Sequence, residues 1–324
     1  MQTIHWGIIG CGDVTEKKSG PGLQKAEGSS LVAVMRRDGK KAADYAKRHN
    51  VPRWYDDAQK LIDDPEVDAI YIATPPSSHM EYTLKAAEAG KPVYCEKPLG
   101  VSSEQSTKMV AFCKEKKVPL FSAYYRRALP KFLKIKALLD SGIIGEIRYV
   151  QVSMHQSIAE EDRKDGGSWR VRPEVSGGGL ILDVGSHALD LLDWFFGPIT
   201  EAQGFAVNQS KTYAAEDIVS GSWKHANNVL GSGIFCFNAY KDEDNTIICG
   251  SKGELSYSVL ANAEPIKIKT KDGEQSIEVD TPPEHIAQPM IQTVVNELLG
   301  KGTCPSTGES GSRTDWVMEK LQGK

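Results

Sequence analysis

The chain has 324 residues, of which 25% are charged and 40% are hydrophobic, and its formal net charge is −4. This length exceeds what one hydrophobic core usually spans, so it predicts two domains. The negative balance argues against a general nucleic-acid binder. No apolar run approaches the roughly 20 residues that a membrane-spanning helix needs.

The amino terminus and the cysteines indicate a cytoplasmic protein. The first residues, Met1 to Trp6, lack the basic region and the long apolar core of a signal peptide. The six cysteines are scattered, with no Cys-x-x-Cys spacing. Free, mostly buried thiols are therefore expected in place of disulfides or a zinc site.

The first strand runs into a glycine turn. The apolar run Ile4–Ile9 is followed by Gly10, Cys11 and Gly12, and then by a helical stretch. Strand, Gly-x-Gly turn and helix together form the context of a dinucleotide site. The first glycine permits the turn, and the second lets the backbone approach a pyrophosphate held at the helix start. We therefore assign Gly10, Gly12, Asp13 and Val14 to a cofactor site, although Thr15 stands where a third glycine is usual.

The second strand, residues 31–35, ends in Arg36 and Arg37. Folds that bind NAD usually place an acidic residue here, which binds the ribose 2′-hydroxyl. A guanidinium can instead pair with a 2′-phosphate. The alternative is a solvated arginine pair at a helix start. The pattern places both arginines in the cofactor site and favours NADP, with NAD still possible.

The fourth strand, residues 67–73, ends in Thr74 and Pro75, and His79 then opens an amphipathic helix. In an open parallel sheet, ligands bind outside the carboxyl ends of the strands. We therefore expect Thr74 and Pro75 to face the cofactor. His79 is a further candidate for the cofactor site, although a histidine at a helix start is more often structural.

A short apolar run, residues 92–95, ends in Glu96, Lys97 and Pro98. A lysine at the carboxyl end of a parallel strand faces the cofactor crevice, and the proline fixes the turn. The alternative for an isolated Glu-Lys-Pro is a surface turn with a solvated ion pair. The preceding turns favour a functional role for Glu96 and Lys97. Strands alternate with helices up to residue 122, which predicts a doubly wound parallel sheet in residues 1–122.

Residues 123–324 have a different pattern, with many short strands and few helices between them. After a helix over 125–139 and a strand over 147–154, turns rich in Gly, Asn and Asp separate the runs 202–208, 218–224, 229–237, 246–249, 254–258, 266–270 and 276–279. This predicts an α/β domain with a large, mostly antiparallel sheet. One face needs covering by helices, and the other can bind a partner.

A glycine-rich segment in this half carries ionisable residues. Residues 177–197 read as one helix that contains Asp183 and His187. Their spacing of four residues places them on one helix face. The alternatives are a buried structural pair or metal ligation. No other His or Cys cluster supplies further ligands, so no metal is expected.

These motifs, in this order, resemble the glucose–fructose oxidoreductase and inositol dehydrogenase (Gfo/Idh/MocA) family over nearly the whole chain. The resemblance is carried by the following residues: Gly10, Cys11, Gly12, Thr74, Pro75, Glu96, Lys97, Pro98, Gly178, Gly179, Asp183, Gly185 and His187. It implies a Rossmann domain, then an α/β domain with an open-faced sheet. It also implies a nicotinamide cofactor, a sugar, cyclitol or related polyol substrate, and homodimers or homotetramers through that sheet.

Two further segments resemble the family's NADP-dependent sugar-ketone reductases. Tyr125 and Arg126 follow the last strand of the first domain, and Trp169 and Arg170 lie in a polar loop over residues 157–173. Loops of this length are often functional. The resemblance therefore implies substrate contacts for these four residues.

The resulting hypothesis is hydride transfer between NADP(H) and a sugar-like hydroxyl or ketone. His187 is the preferred proton carrier because an imidazole titrates near neutral pH, with Asp183 orienting it. Lys97 would polarise the same oxygen or carry the proton itself. The alternatives are an NAD-dependent glycoside hydrolase of the same family and a nucleotide-sensing regulator without catalysis.

Overall fold

The computed structural model describes residues 3–164 and 166–324, which form two compact units. The first contains Met1–Ala128 and Pro283–Ser312, and the second contains Leu129–Pro282 and Arg313–Lys324. A segment near the carboxyl terminus thus belongs to the amino-terminal unit. The predicted functional division at residues 122 and 123 stays a prediction.

The first unit contains a six-stranded sheet in which every neighbouring pair is parallel. Its strands are β1 Ile4–Ile9, β2 Ser29–Met35, β3 Arg53–Tyr55, β4 Ala69–Ile72, β5 Val93–Cys95 and β6 Leu120–Ser122. Their order is β3-β2-β1-β4-β5-β6, which is the doubly wound Rossmann order. The predicted fold of this part of the chain is confirmed.

Alternation along these strands builds one core on each face of the sheet. Trp6, Ile8, Tyr71 and Tyr94 lie in one buried cluster, whereas Ile70, which points to the opposite face, lies in the other. Successive side chains of a strand point to opposite faces, so both faces must be covered by helices.

The helices of this unit follow the strands. They are α1 Asp13–Lys17, α2 Ser19–Lys25, α3 Gly39–Arg48, α4 Ala58–Ile62, α5 His79–Glu88, α6 Ser103–Lys116 and, after the second unit, α10 Gln288–Leu298. Side-chain caps begin several of them: Asp38 accepts from the amides of Lys40 and Lys41, and Ser102 accepts from that of Gln105. Helix α10 buries Met290 and Ile291 in the cluster that contains Trp6, which explains why it belongs to this unit.

The second unit contains an eight-stranded sheet of order β14-β13-β12-β11-β7-β10-β9-β8. Its strands are β7 Ile147–His155, β8 Ile199–Val207, β9 Ile218–His225, β10 Leu230–Cys236, β11 Glu243–Gly250, β12 Gly253–Tyr257, β13 Ile266–Thr270 and β14 Gly273–Ile277. Neighbours pair antiparallel except β7 with β10, which are parallel. The predicted large, mostly antiparallel sheet is confirmed.

One face of this sheet packs on helices and the other is exposed. Helices α7 Pro130–Asp140 and α9 Ser186–Phe196 cover the first face, where the rings of Phe132 and Phe195 meet Tyr257 with centroids 6.2 and 6.3 Å away. On the other face Phe205 is 82% exposed. The predicted open-faced sheet is therefore observed.

Several predicted helices differ in their bounds. The stretch 125–139 divides into a 3₁₀ turn, Tyr125–Ala128, and helix α7, because Pro130 has no amide to continue a helix and instead begins one. The segment 177–197 also divides, into a π-helical turn, Ile181–Gly185, and helix α9. The last helix, α11 Gly308–Leu321, is longer than predicted. The short helix α8 Pro173–Ser176 ends the loop at 157–173.

Two further features of the structure concern disulfides and membrane-spanning helices. None of the six cysteines, all of which the structure describes, forms a disulfide, and four of them are buried. Among the helices built from residues 3–164 and 166–324, none combines the length and the apolarity needed to cross a bilayer.

Candidate functional site

The glycine turn after β1 leaves room for a ligand. Gly10 has φ +94°, and a Cβ there would lie 2.6 Å from Thr74 Cγ2, so both conformation and packing require glycine. A Cβ on Gly12 would meet nothing nearer than the Gly10 oxygen at 3.9 Å. Protein packing therefore does not require the second glycine, whereas close approach of a phosphate would. Asp13 is exposed and Val14 half-buried at the start of α1.

Thr15 closes this turn in place of a third glycine. Its hydroxyl donates to the Gly12 carbonyl over 2.7 Å and accepts from the Gly12 amide over 3.0 Å. The Tyr45 hydroxyl in turn donates to the Thr15 carbonyl over 2.8 Å. The threonine thus stabilises the turn, a role that the glycine fingerprint alone did not predict.

Arg36 lies beside the glycine turn. It follows β2, and its Nη1 donates to the Cys11 carbonyl over 3.3 Å. The next acidic residue, Asp38, uses its side chain to cap α3, accepting from the amides of Lys40 and Lys41. The side chain beside the glycine turn at the end of β2 is therefore a guanidinium and not a carboxylate. Arg37 is exposed.

The turn after β4 is ordered by side-chain hydrogen bonds. The Ser78 hydroxyl donates to Thr74 Oγ1 over 2.8 Å and lies 3.1 Å from the Pro75 carbonyl. His79 is fully buried, with Nε2 2.7 Å from the Thr74 carbonyl and Nδ1 2.9 Å from the Pro98 carbonyl. Its ring therefore lies between the turns after β4 and β5.

Two stacked tyrosine side chains support the turn after β5. The Tyr71 hydroxyl donates to Glu96 Oε1 over 2.5 Å, and the Tyr71 ring stacks on Tyr94 with centroids 5.1 Å apart. Burial raises the pKa of the Glu96 carboxyl, which the Tyr71 hydrogen bond and the Lys97 charge partly offset. Lys97 itself is half-buried and precedes a cis peptide bond to Pro98.

The first unit thus brings the predicted cofactor residues to one sheet edge. Gly10 contacts Thr74, Arg36 contacts Cys11, and His79 joins Thr74 to the turn that carries Lys97. These residues follow four adjacent strands of the parallel sheet at their carboxyl ends, where ligands bind in this fold.

Tyr125 and Arg126 belong to this unit too. They lie in the 3₁₀ turn after β6, where the Arg126 guanidinium carbon is 4.9 Å from the centre of the Tyr125 ring. Arg126 is buried and Tyr125 half-buried. The next residue, Arg127, donates to the Pro305 carbonyl over 2.7 Å and so has a structural contact.

In the second unit, Asp183 and His187 lie on different segments. Asp183 belongs to the π-helical turn and His187 to the first turn of α9. The prediction that both lie along one regular helix is therefore wrong, because a π turn changes the angular spacing of residues. Asp183 is half-buried and accepts from Arg170 Nε over 3.0 Å, whereas His187 is 6% exposed.

The loop at 157–173 packs around a small core of its own. Val171, Tyr213 and Ala215 form this buried cluster. Arg172 donates to the Gly167 carbonyl through Nη2 over 2.8 Å, and Arg170 lies with its guanidinium carbon 4.6 Å from the centre of the Trp169 ring. Trp169 and Arg170 therefore lie in a segment that is held in place by the contacts of Val171 and Arg172. Asp165 lies outside the described residues.

Glu216 supports the glycine-rich segment, and sequence reasoning did not find it. Its Oε1 accepts from the Gly179 amide over 2.6 Å and from Gln322 Nε2 over 2.8 Å. A Cβ on Gly179 would lie 2.2 Å from the Glu216 carbonyl oxygen, so a close backbone approach requires this glycine. The partners are 37 residues apart, and no local pattern signals such a contact.

Comparison with known proteins places this geometry in a family. Residues 4–124 match the model described as an oxidoreductase family with an NAD-binding Rossmann fold, and residues 132–256 match that of a GFO/IDH/MocA C-terminal domain. An oxidoreductase of Formosa agariphila is 38% identical, over 99% of this chain and 98% of its own. The 1,5-anhydro-D-fructose reductase of Ensifer adhaerens is 26% identical, over 95% of this chain and 92% of its own.

Among solved structures, levoglucosan dehydrogenase in complex with NADH and levoglucosan superposes with a TM-score of 0.87 at 20% identity. The match covers 99% of this chain and 96% of that one. At this identity the likeness shows the fold alone. Together with the family models and the relative at 38% identity, it confirms the resemblance seen in the motifs. The chain belongs to the Gfo/Idh/MocA family of oxidoreductases, with an NAD-binding Rossmann fold.

Proposed function

We propose that this oxidoreductase transfers a hydride between NADP(H) and a hydroxyl or ketone of a sugar-like polyol. The observation that carries the proposal is the position of Lys97, which leaves β5 at the same sheet edge as the Gly10–Gly12 turn. A Cβ added to Gly12 would lie 3.9 Å from the nearest atom outside its chain neighbours, the Gly10 oxygen, so the protein itself leaves room beside this glycine. Close approach of a cofactor pyrophosphate requires such room, so the residues present suit a dinucleotide.

The preference for NADP is supported by Arg36. Its guanidinium lies against the glycine turn, where a planar cation can pair with a 2′-phosphate. Asp38, the next acidic residue along the chain, already accepts hydrogen bonds from two backbone amides. Levoglucosan dehydrogenase, which has the same fold, was solved with NADH, so the fold by itself does not require NADP. The choice therefore depends on local residues such as Arg36, with Arg37 as a second candidate.

Three residues would carry the chemistry. The nicotinamide supplies the hydride when bound, and the protein must orient the substrate and move one proton. We assign that proton to His187, with Asp183 as its orienting carboxylate. Lys97 would polarise the substrate oxygen or carry the proton in its place, as both groups are suited to acid–base work. The Arg170 contact is consistent with an ionised Asp183.

The names of the relatives and the aromatic and cationic residues of this chain support the proposed substrate class. Relatives are named for 1,5-anhydro-D-fructose and for levoglucosan, both small cyclic sugar derivatives. We propose that Trp169 and Arg170, with Tyr125 and Arg126, contact such a substrate. An indole or phenol ring packs on the apolar face of a sugar, and a guanidinium donates to its hydroxyls.

The experiment that tests this function is a substrate screen. The purified protein is incubated with NADPH and a panel of sugar ketones, and with NADP⁺ and the matching alcohols, while absorbance reports the nicotinamide. Chromogenic glycosides are tested in parallel with NAD⁺. Turnover of a ketone with NADPH supports the proposal, whereas glycoside cleavage without net redox supports the NAD-dependent hydrolase. Cofactor binding with neither activity supports a regulator.

We also propose that the chain forms a homodimer or homotetramer through the open face of the second unit's sheet. Leu230 and Tyr149 face each other across β10 and β7 on that face and are 56% and 46% exposed. Ion pairs lie further along the same row, Lys224 with Glu201 on one side and Lys269 with Glu274 on the other. An apolar centre with a charged rim is the pattern of a protein interface, and a second copy supplies the matching surface.

A cytoplasmic location remains part of the proposal.

A further inference from the structure

His79 contacts two functional turns through one ring. Nε2 lies 2.7 Å from the Thr74 carbonyl, after β4, and Nδ1 lies 2.9 Å from the Pro98 carbonyl, after β5. The two strands are neighbours, with Ile72 paired to Cys95 at their ends. The imidazole therefore bridges the ends of adjacent strands, at the edge where a cofactor is expected.

The chemistry of the contact is unusual because both partners are carbonyl oxygens. A neutral imidazole has one N–H, so it can donate to only one of them, whereas a protonated ring donates to both. Burial lowers the pKa of His79, the hydrogen bonds to the Thr74 and Pro98 carbonyls oppose that shift, and the nearby Lys97 charge adds to it. Hydrogen bonding to the carbonyls and close packing of the ring then fix the separation of the two turns.

The burial of His79 limits what else it can do. Its relative exposure is 0%, and both ring nitrogens face protein backbone. A direct hydrogen bond to a cofactor would require one nitrogen to leave its carbonyl. Its contribution is therefore to the placement of neighbouring groups, foremost Thr74 and the turn that presents Lys97.

We infer that His79 is a positioning residue whose ring sets the distance between the Thr74 turn and the Lys97–Pro98 turn. The inference rests on the proposed function, since it assumes that these turns hold a nicotinamide cofactor and a reacting group. It predicts that loss of the ring harms cofactor binding and turnover beyond any loss of stability. A purely structural histidine would change stability alone.

The test uses two variants and a matched control. His79→Leu removes the donor at similar volume, and His79→Gln keeps one side-chain donor. His225 in the second unit is also buried and lies 2.8 Å from a single carbonyl, that of Gly197, so His225→Leu is the control. For each protein we would measure the melting temperature, the Kd for NADPH by calorimetry, and kcat and KM for the best ketone of the screen.

We expect His79→Leu to raise the NADPH Kd about tenfold and to lower kcat by about tenfold or more, because small misplacements of reacting groups are costly. His79→Gln should recover most of both losses. His225→Leu should lower the melting temperature and leave both values unchanged. A folded His79→Leu protein with normal Kd and kcat would overturn the inference.

A second measurement covers the case in which His79→Leu does not fold. Hydrogen exchange of the unmodified protein is followed with and without NADPH, in peptides that span residues 76–80 and 98–102. Slower exchange in both segments on NADPH binding supports coupling of the turns, and slower exchange in only one overturns it. If the unmodified protein binds neither NADPH nor NADH, the proposed function itself fails, which is a different result.

Discussion

Arg170 Nε donates to Asp183 Oδ2 across 3.0 Å, while its guanidinium carbon lies 4.6 Å from the centre of the Trp169 ring. A residue predicted to contact substrate thus pairs with a carboxylate predicted to serve catalysis. The pair is partly exposed, at 39% and 30% of the two side chains. A cation at this distance stabilises the ionised form of the carboxyl group. We therefore expect Arg170 to act on Asp183, in addition to the substrate contact proposed for it.

The first prediction is that Arg170→Ala lowers kcat/KM about fivefold or more, the size expected for about 1 kcal/mol from a partly exposed pair. The Kd for NADPH should not change. Arg170→Ala combined with Asp183→Asn should cost less than the sum of the single changes, because both remove the same contact. Arg163, an exposed arginine of the same loop, supplies the control Arg163→Ala. Additive losses in the double variant would show that the pair is not coupled.

The second prediction concerns the cofactor. Arg36 lies against the glycine turn, and the Asp38 carboxylate caps α3. The unmodified protein should bind NADPH more tightly than NADH, and Arg36→Asp should reverse the order, since a carboxylate repels a 2′-phosphate and accepts from a ribose hydroxyl. Calorimetry with both cofactors measures this. The control is Lys40→Asp, which also replaces a cation by a carboxylate but does so at an exposed residue of α3. Tighter binding of NADH by the unmodified protein would exclude the proposed preference.

The sequence predicts features that depend on neighbouring residues, and it does not predict contacts between residues far apart in the chain. Apolar runs and caps are local, so strand β1 and the Asp38 turn could be predicted from neighbouring residues alone. The burial of His79 between two carbonyls depends on Pro98, and the support of Gly179 depends on Glu216. Such distant contacts leave no periodic signal in one sequence. Likewise, helix α10 returns to the first unit because its apolar face fits a core that local pattern does not reveal.

The same limit applies to the site. The glycine turn, the Thr74 turn and the Glu-Lys-Pro turn could be assigned to one edge, because parallel strands share their direction. The sequence did not indicate the π-helical turn that carries Asp183, since spacing alone cannot distinguish it from an α-helix. The catalytic and binding roles of the named residues stay predictions, and substitution of each residue tests them.

The third prediction concerns acid stability near the glycine turn. Arg48 donates to both Glu16 oxygens, over 2.7 and 2.8 Å, and lowers the pKa of that carboxyl to about 2. A depressed pKa gives stability that is present above the unfolded value of 4.5 and is lost as the pH falls through the folded value. Glu16→Gln should therefore lower the free energy of unfolding by about 1 kcal/mol at pH 7.

Thermal melts of both proteins from pH 7 to pH 3 measure this effect. The difference in melting temperature should be constant down to about pH 5 and should shrink below that, as expected from linkage. Glu160 pairs with Lys164 but is 82% exposed, so Glu160→Gln is a control that should have almost no effect. A difference that persists unchanged to pH 3 would mean that the carboxyl group contributes by packing instead of charge.

The fourth prediction concerns assembly through the open sheet face. Phe205 and Leu230 are 82% and 56% exposed on β8 and β10. Phe205→Glu together with Leu230→Glu should convert an oligomer to a monomer of 35.5 kDa, because buried unpaired carboxylates are costly. Light scattering after gel filtration measures the mass. Tyr240 is fully exposed between β10 and β11, so Tyr240→Glu is the control and should leave the mass unchanged. A monomeric unmodified protein would remove the proposal.

The fifth prediction concerns the proton. Lys97→Ala and His187→Ala should each lower kcat by about a hundredfold or more, the usual loss when a general acid or base is removed. Both proteins should still bind NADPH, because the glycine turn and Arg36 are unchanged. Asp183→Asn should also be impaired, since it loses the charge that stabilises a protonated histidine. The combined Lys97→Ala and His187→Ala protein should lose less than the product of the single losses, since residues that act in one step are not independent.

Each control replaces a residue of the same type elsewhere in the same unit. Lys91 lies just before β5, at the opposite end of the strand from Lys97, and donates to the Asp64 carbonyl over 2.6 Å. Lys91→Ala should therefore lower stability without changing kcat, and His225→Leu serves the same purpose for His187. The pH dependence of kcat then separates the two candidate carriers. If His187 moves the proton, the limb of the pH profile that depends on it disappears in His187→Ala and stays in Lys97→Ala. The opposite outcome assigns the proton to Lys97, and a folded variant with normal turnover removes that residue from the mechanism.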